Sequence, residues 1–89
     1  MQRVEFTIEP FVEGQPGRHV TAPLDAVRAR GYEVEFGPFG SECTTPTADT
    51  PEIVAEILRA AFANGATHVT IDVAAADATR EITRPELDG

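Results

Sequence analysis

Three stretches of this chain alternate strictly between apolar and polar residues, and two stretches of helical period lie between them. Over residues 3–9, Val4, Phe6 and Ile8 alternate with Glu5, Thr7 and Glu9. Over 32–36, Tyr32, Val34 and Phe36 alternate with Glu33 and Glu35, and over 67–73, Val69, Ile71 and Val73 alternate with His68, Thr70 and Asp72. Successive strand side chains point to opposite faces, so each stretch predicts a strand buried on one side. Pro10 has no N–H to give to a ladder and predicts the end of the first strand. The turn chemistry of Gly37-Pro38-Phe39-Gly40 interrupts the second, and the polar, β-branched run 41–47 predicts a short third strand returning as a hairpin, limited by Pro46.

Val20, Leu24 and Val27 recur at helical spacing, with Gly31 as a stop. Pro23 fits a helix whose first turn contains it, which predicts a start between His19 and Ala22 and an end near Arg30. Thr50 reads as a cap with Pro51 at the first helical position, and Glu52 suits the positive end of the helix dipole. Ile53, Ile57, Ala60 and Ala61 form the apolar stripe, widened by Val54, Leu58 and Phe62, until Asn64-Gly65 ends it. The predicted order is strand, helix, strand, strand, helix, strand. That is the split βαβ pattern of a ferredoxin-like α+β sandwich, a four-stranded antiparallel sheet with two helices on one face. The predicted core is Val4, Phe6, Ile8, Val20, Leu24, Val27, Val34, Phe36, Ile53, Ile57, Leu58, Phe62, Val69, Ile71 and Val73. The domain runs over 1–76, and the polar, aperiodic 77–89 reads as a C-terminal tail.

Eighty-nine residues leave room for one core. A formal charge of −8 disfavours nucleic acid and anionic membrane as partners. No segment approaches the ~20 apolar residues of a membrane span, and the N-terminal residues lack the apolar stretch of a signal peptide. The single Cys43 can close no intrachain disulfide and forms no CxxC site, so the expectation is a cytoplasmic protein.

With the apolar faces turned to the helices, the open face of the sheet collects Glu5, Glu9, Glu33, Glu35 and Asp72, with Arg3, Thr7, His68 and Thr70 among them. Such a face resists edge-to-edge aggregation. It also attracts cations, and Glu9, beside the irregular Pro10, is the first candidate to hold one. Phe39, an aromatic in a turn, is either a core plug or a wall on which a flat ring or a cation stacks. His19 and His68 have no third ligand at zinc spacing, so no metal site is expected. His19 stands where it could meet a ligand at the start of the first helix. Cys43 reads as a small hydrophobe of the hairpin. An acylphosphatase-like hydrolase is the enzymatic alternative, because Gly14-Gln15-Pro16-Gly17-Arg18 is a glycine-rich loop placing an Arg at a helix start. The only Asn, Asn64, falls at a helix end rather than on a strand, and the negative charge disfavours an acyl phosphate.

The stretch Val4-Glu5-Phe6-Thr7-Ile8-Glu9-Pro10-Phe11, the segment Leu24-Asp25-Ala26-Val27, the run from Tyr32 through Glu33-Val34-Glu35-Phe36 to Gly37-Pro38-Phe39-Gly40, and Ala63-Asn64-Gly65-Ala66-Thr67-His68-Val69 together resemble the thiamine-binding protein family. The resemblance covers residues 3–73 and departs from the family at 43–49, where a more apolar strand is usual. It implies a small ferredoxin-like domain that assembles as a dimer or tetramer and binds thiamine or its hydroxymethylpyrimidine part without catalysis, so no cofactor and no catalytic residue is expected. Thiamine carries a fixed positive thiazolium charge and an aminopyrimidine that pairs with a carboxylate, which suits an acidic site with an aromatic wall. The expected ligand-binding residues are Glu9 as acceptor, Phe39 as stacking wall, and Gly40 and Ser41 as close-approach and hydroxyl contacts. Phe11, His19 and Glu42 are further candidates by proximity to the same loops. Small core size and exposed edge strands also predict a homo-oligomer, and a ligand-free interaction module is the alternative function.

Overall fold

The computed structural model describes residues 1–11, 14, 16–37 and 40–76. Phe39 and the predicted tail, 77–89, lie outside the described residues. The elements run β1 Gln2–Glu9, α1 Arg18–Ala29, β2 Val34–Gly37, β3 Gly40–Thr45, α2 Thr50–Ala63 and β4 His68–Ala75. The sheet is antiparallel in the order β2-β3-β1-β4, with both helices on one face, so the ferredoxin-like arrangement expected from the alternations is the fold. β1 ends at Glu9, and the Glu9–Pro10 peptide is cis.

Register follows from burial. Val4, Phe6 and Ile8 point towards the helices, as do Cys43 of β3 and Val34 of β2, and they meet Leu24 and Val27 of α1 and Ile53, Ile57 and Ala61 of α2. Burial of six or more such side chains at about 25 cal/mol per Å² is the main driving force of a domain this small. Cys43 belongs to this core, and burial, then the neighbouring Glu42 charge, raise its thiol pKa. Thr45 and Thr50 are also buried, and their hydroxyls hydrogen-bond each other at 2.7 Å while Thr50 Oγ1 donates to Pro46 O at 3.2 Å. That pairing satisfies two polar groups where the third strand hands over to α2.

Several expectations are corrected. α1 begins at Arg18, with Gly17 as its cap, because the Gly17 carbonyl accepts the N–H groups of Val20 and Thr21. Pro23 therefore lies inside the helix, not in its first turn, and its ring is wholly buried. Packing of that ring offsets the N–H it cannot give to the His19 carbonyl. Asp49, not Thr50, is the cap of α2, and Thr50 is the first helical residue, its hydroxyl turned inward to Thr45. Glu33 immediately precedes β2, which begins at Val34. Phe36, Leu58, Phe62 and Val73 were expected in the core and are exposed, at 53%, 37%, 52% and 43%. Phe36 and Val73 lie on the two edge strands, beyond the cover of the helices. Val20, Val69 and Ile71 are only partly buried against the core.

Candidate functional site

The open face carries the chemistry. Cross-strand register sets Glu35 opposite Glu42, Glu42 opposite Glu5, and Glu5 opposite Asp72, so one row across all four strands holds four carboxylates. Neighbouring strands lie about 4.8 Å apart. Two unit charges held at that spacing would repel by about 0.9 kcal/mol at the dielectric of water, and like charges directly opposite on a sheet destabilise it.

The next row towards the β2–β3 turn is its opposite in bulk. Gly37 faces Gly40, and Thr7 faces Thr70. The two glycines leave a depression bordered by short side chains. Gly40 has φ +154°, and a Cβ there would stand 2.9 Å from Thr7 Cγ2 and 3.1 Å from the Phe6 carbonyl oxygen, so the close approach of β3 to β1 requires glycine. The result is a groove of about 400 Å³ lined by Glu5, Thr7, Gly37, Gly40, Glu42, Thr70 and Asp72, with Phe6 and Ser41 at its floor. Its volume falls within the range of small-molecule sites. Glu5 and Asp72 also take part in interactions inside the fold. Arg3 lies one row below on the same face, between Thr44 and Ala74.

The expected site residues divide into two groups. Gly40, Ser41 and Glu42 line the groove. Ser41 is buried, 5% exposed, and shares the helix-facing alternation of Cys43 and Thr45, so it presents backbone to the groove rather than a hydroxyl. Glu9, Phe11 and His19 gather instead at the end of β1. Glu9 is on the open face opposite His68, one row beyond Thr7. Phe11 is 75% exposed. His19 is buried, and its Nε2 lies 2.6 Å from the Pro10 carbonyl oxygen, a hydrogen bond that ties the first turn of α1 to the end of β1. A Cβ on Gly17 would stand 2.8 Å from His19 Nδ1, so the cap glycine makes room for this ring.

Sequence reasoning placed Glu5, Thr7, Thr70 and Asp72 on the open face but not in the site. The signal that would have selected them is the pairing of Glu5 with Glu42, which depends on the register between β1 and β3, strands that are not consecutive in the chain. Among the described residues no group of three His, Cys, Asp or Glu side chains is arranged to hold a metal ion, and no helix is long and apolar enough to cross a membrane. The residues weighed for hydrolysis serve the helices. Arg18 Nη1 is 4.0 Å from Asp25, and Asn64 Nδ2 donates to the Ala60 carbonyl at 2.8 Å.

The class defined by this geometry is a small ferredoxin-like α+β domain with an acidic groove on its open face. No protein-family model and no curated protein matches the sequence. Solved structures similar in fold include two from bacteria. A domain of unknown function, DUF77, from Bacillus cereus superposes with a TM-score of 0.60 at 16% identity, over 82% of this chain and 71% of that one. Protein SP2199 from Streptococcus pneumoniae superposes with a TM-score of 0.53 at 18% identity, over 99% of this chain and 98% of the other.

Proposed function

We propose that the protein is a non-catalytic binder of a small cationic heteroaromatic compound, thiamine or its hydroxymethylpyrimidine portion, serving as carrier, buffer or sensor. The observation that supports this reading most is the row Glu35-Glu42-Glu5-Asp72 against a groove of about 400 Å³. A cation in the groove relieves the repulsion that the row imposes on the empty sheet, so ligand charge and protein stability are linked. Glu42, between Glu35 and Glu5, is the central carboxylate for an aminopyrimidine, and Gly37 and Gly40 let a flat ring lie against backbone. Glu9 is the second acceptor, one row beyond Thr7. The buried, unpaired Cys43 suits a reducing cytoplasm, where we place this role.

Titration calorimetry with thiamine, and with hydroxymethylpyrimidine as the fragment, tests the reading. Saturable micromolar binding, on the order of −8 kcal/mol, is expected. Glu42→Gln should weaken it about tenfold or more, since one charge-assisted hydrogen bond contributes ~1.5–3 kcal/mol. Absence of heat and of thermal stabilisation with both compounds would refute it.

A further inference from the structure

Positive charge is placed unequally on the two faces of the sheet. The chain has no lysine, so arginine supplies its fixed cationic side chains. Arg18, Arg28, Arg30 and Arg59 belong to the helix layer, and each is held there. Arg18 pairs with Asp25 at 4.0 Å, Arg30 with Glu52 and Glu56 at 3.5 and 3.7 Å, and Arg59 with Glu56 at 2.9 Å, while Arg28 donates to the Val34 carbonyl at 3.4 Å. Among the described residues Arg3 is the one arginine on the open face.

Residues on one face of a strand recur about every 6.7 Å. The row through Glu5 and Glu42 therefore lies about 7 Å from the depression at Thr7 and Gly40, and Arg3 about 13 Å from it, on the far side of that row. In the opposite direction along β1 the next residue of this face is Glu9, paired with His68. An anionic group in the depression thus has carboxylates before and behind it, and reaches Arg3 only across the row.

We propose that the groove takes its cationic ligand as the free alcohol and rejects the phosphate monoester of the same compound. Thiamine and hydroxymethylpyrimidine each carry a primary hydroxyl, so esterification changes charge while leaving the rings as they are. The inference rests on the groove being the binding site, as proposed above, and adds the selection that its field imposes. A phosphate monoester carries a charge of about −1.5 to −2 at pH 7. Placed in the depression, that charge stands about 7 Å from the two central carboxylates of the row and about 10 Å from the two outer ones. Glu5 and Asp72 have interactions inside the fold, so the smallest effect is the one from Glu42 and Glu35 alone. With the dielectric of water and a Debye length of about 8 Å at 0.15 M salt, these two weaken the ester about threefold, and the full row about tenfold. At 0.01 M salt, where the Debye length is about 30 Å, the same two weaken it about tenfold.

Titration calorimetry of the full chain with thiamine and with thiamine monophosphate, at about 0.01 and 0.15 M sodium chloride, tests this. Thiamine should bind more tightly than its monophosphate by about tenfold or more at the lower salt, and that ratio should fall about threefold or more at the higher. Glu35→Gln, at an exposed position outside the groove lining, should lower the ratio about twofold at low salt while circular dichroism is retained. A monophosphate that binds as tightly as thiamine, or more tightly, overturns the inference and leaves the binding reading standing. A preference that neither salt nor Glu35→Gln moves also overturns it, because exclusion by size is indifferent to both. Heat from neither compound refutes the binding reading itself, and the inference with it.

Discussion

Replacing Gly17 by Ala tests how α1 is anchored, and its consequence can be worked from three atoms. The added Cβ would lie 2.8 Å from His19 Nδ1 and 2.9 Å from Cε1, so the ring must retreat by about 0.6 Å to reach ordinary contact at 3.4 Å. The ring is buried and bonded to the Pro10 carbonyl at 2.6 Å. Retreat therefore lengthens or breaks that bond and leaves a half-buried carbonyl poorly paired, at about 1–2 kcal/mol. Loss of the glycine cap itself adds about 0.5–1 kcal/mol. Urea unfolding should show Gly17→Ala destabilised by about 1.5–3 kcal/mol, and His19→Ala by a comparable amount through the same bond. In the double variant the clash has no partner, so the Gly17 change should cost only the cap. The coupling energy of the cycle should be about 1–2 kcal/mol. Additivity of the two changes to within about 0.4 kcal/mol would refute the reasoning, because that is the behaviour of sites that do not touch.

Three further outcomes follow from the same geometry. Ile57→Ala, at a side chain with no exposed surface, should cost about 2–5 kcal/mol in urea unfolding, whereas Leu58→Ala, one position away and 37% exposed, should cost less than half as much; equal losses would contradict the orientation of α2 that buries Ile57 and exposes Leu58. Glu56 is held below the usual carboxylate range, first by its hydrogen bond from Arg59 and also by Arg30, against the opposing effect of desolvation. A depressed folded pKa means that the stabilisation is complete above the unfolded value, about 4.3, and is lost as pH falls through the folded value. The stability difference between the unaltered protein and Arg59→Gln should therefore be present at pH 7 and shrink on acidification below about pH 4, and a constant difference would oppose this assignment. Gly40→Ala should destabilise the β2–β3 hairpin by more than about 1 kcal/mol, through the contacts with Thr7 and the Phe6 carbonyl, and a neutral change measured by thermal unfolding would count against the close approach of β3 to β1.

Much of the fold was legible in the alternation of Val4, Phe6 and Ile8 with Glu5, Thr7 and Glu9, because a period of two states which face of a strand is buried. It does not state which strand is central. Phe36 and Val73 continue the apolar alternation as cleanly as Phe6 does, yet β2 and β4 are edges and the helices do not reach over them. Leu58 and Phe62 were misjudged for the related reason that helical period marks the width of an apolar stripe but not how much of that width the sheet covers. Pro23 was judged by local helix chemistry alone, and its burial among core side chains outweighed that rule. For the site, glutamates on the open face were recognisable residue by residue, but their meeting in one row depends on register across three strand pairs. Ser41 illustrates the same limit: its place beside Gly40 was evident, while its inward direction followed only from pairing with Phe36.

The central claim is that the acidic row and the glycine-bordered depression beside it hold a cationic ring. The most direct test is to titrate thiamine into isotope-labelled protein and follow the backbone amide resonances. The account predicts saturable shifts concentrated at Glu5, Thr7, Gly37, Gly40, Glu42, Thr70 and Asp72, with the midpoint of the titration raised about tenfold or more by Glu42→Gln. Shifts confined to Phe11 and His19, or no shifts at millimolar thiamine, would contradict it.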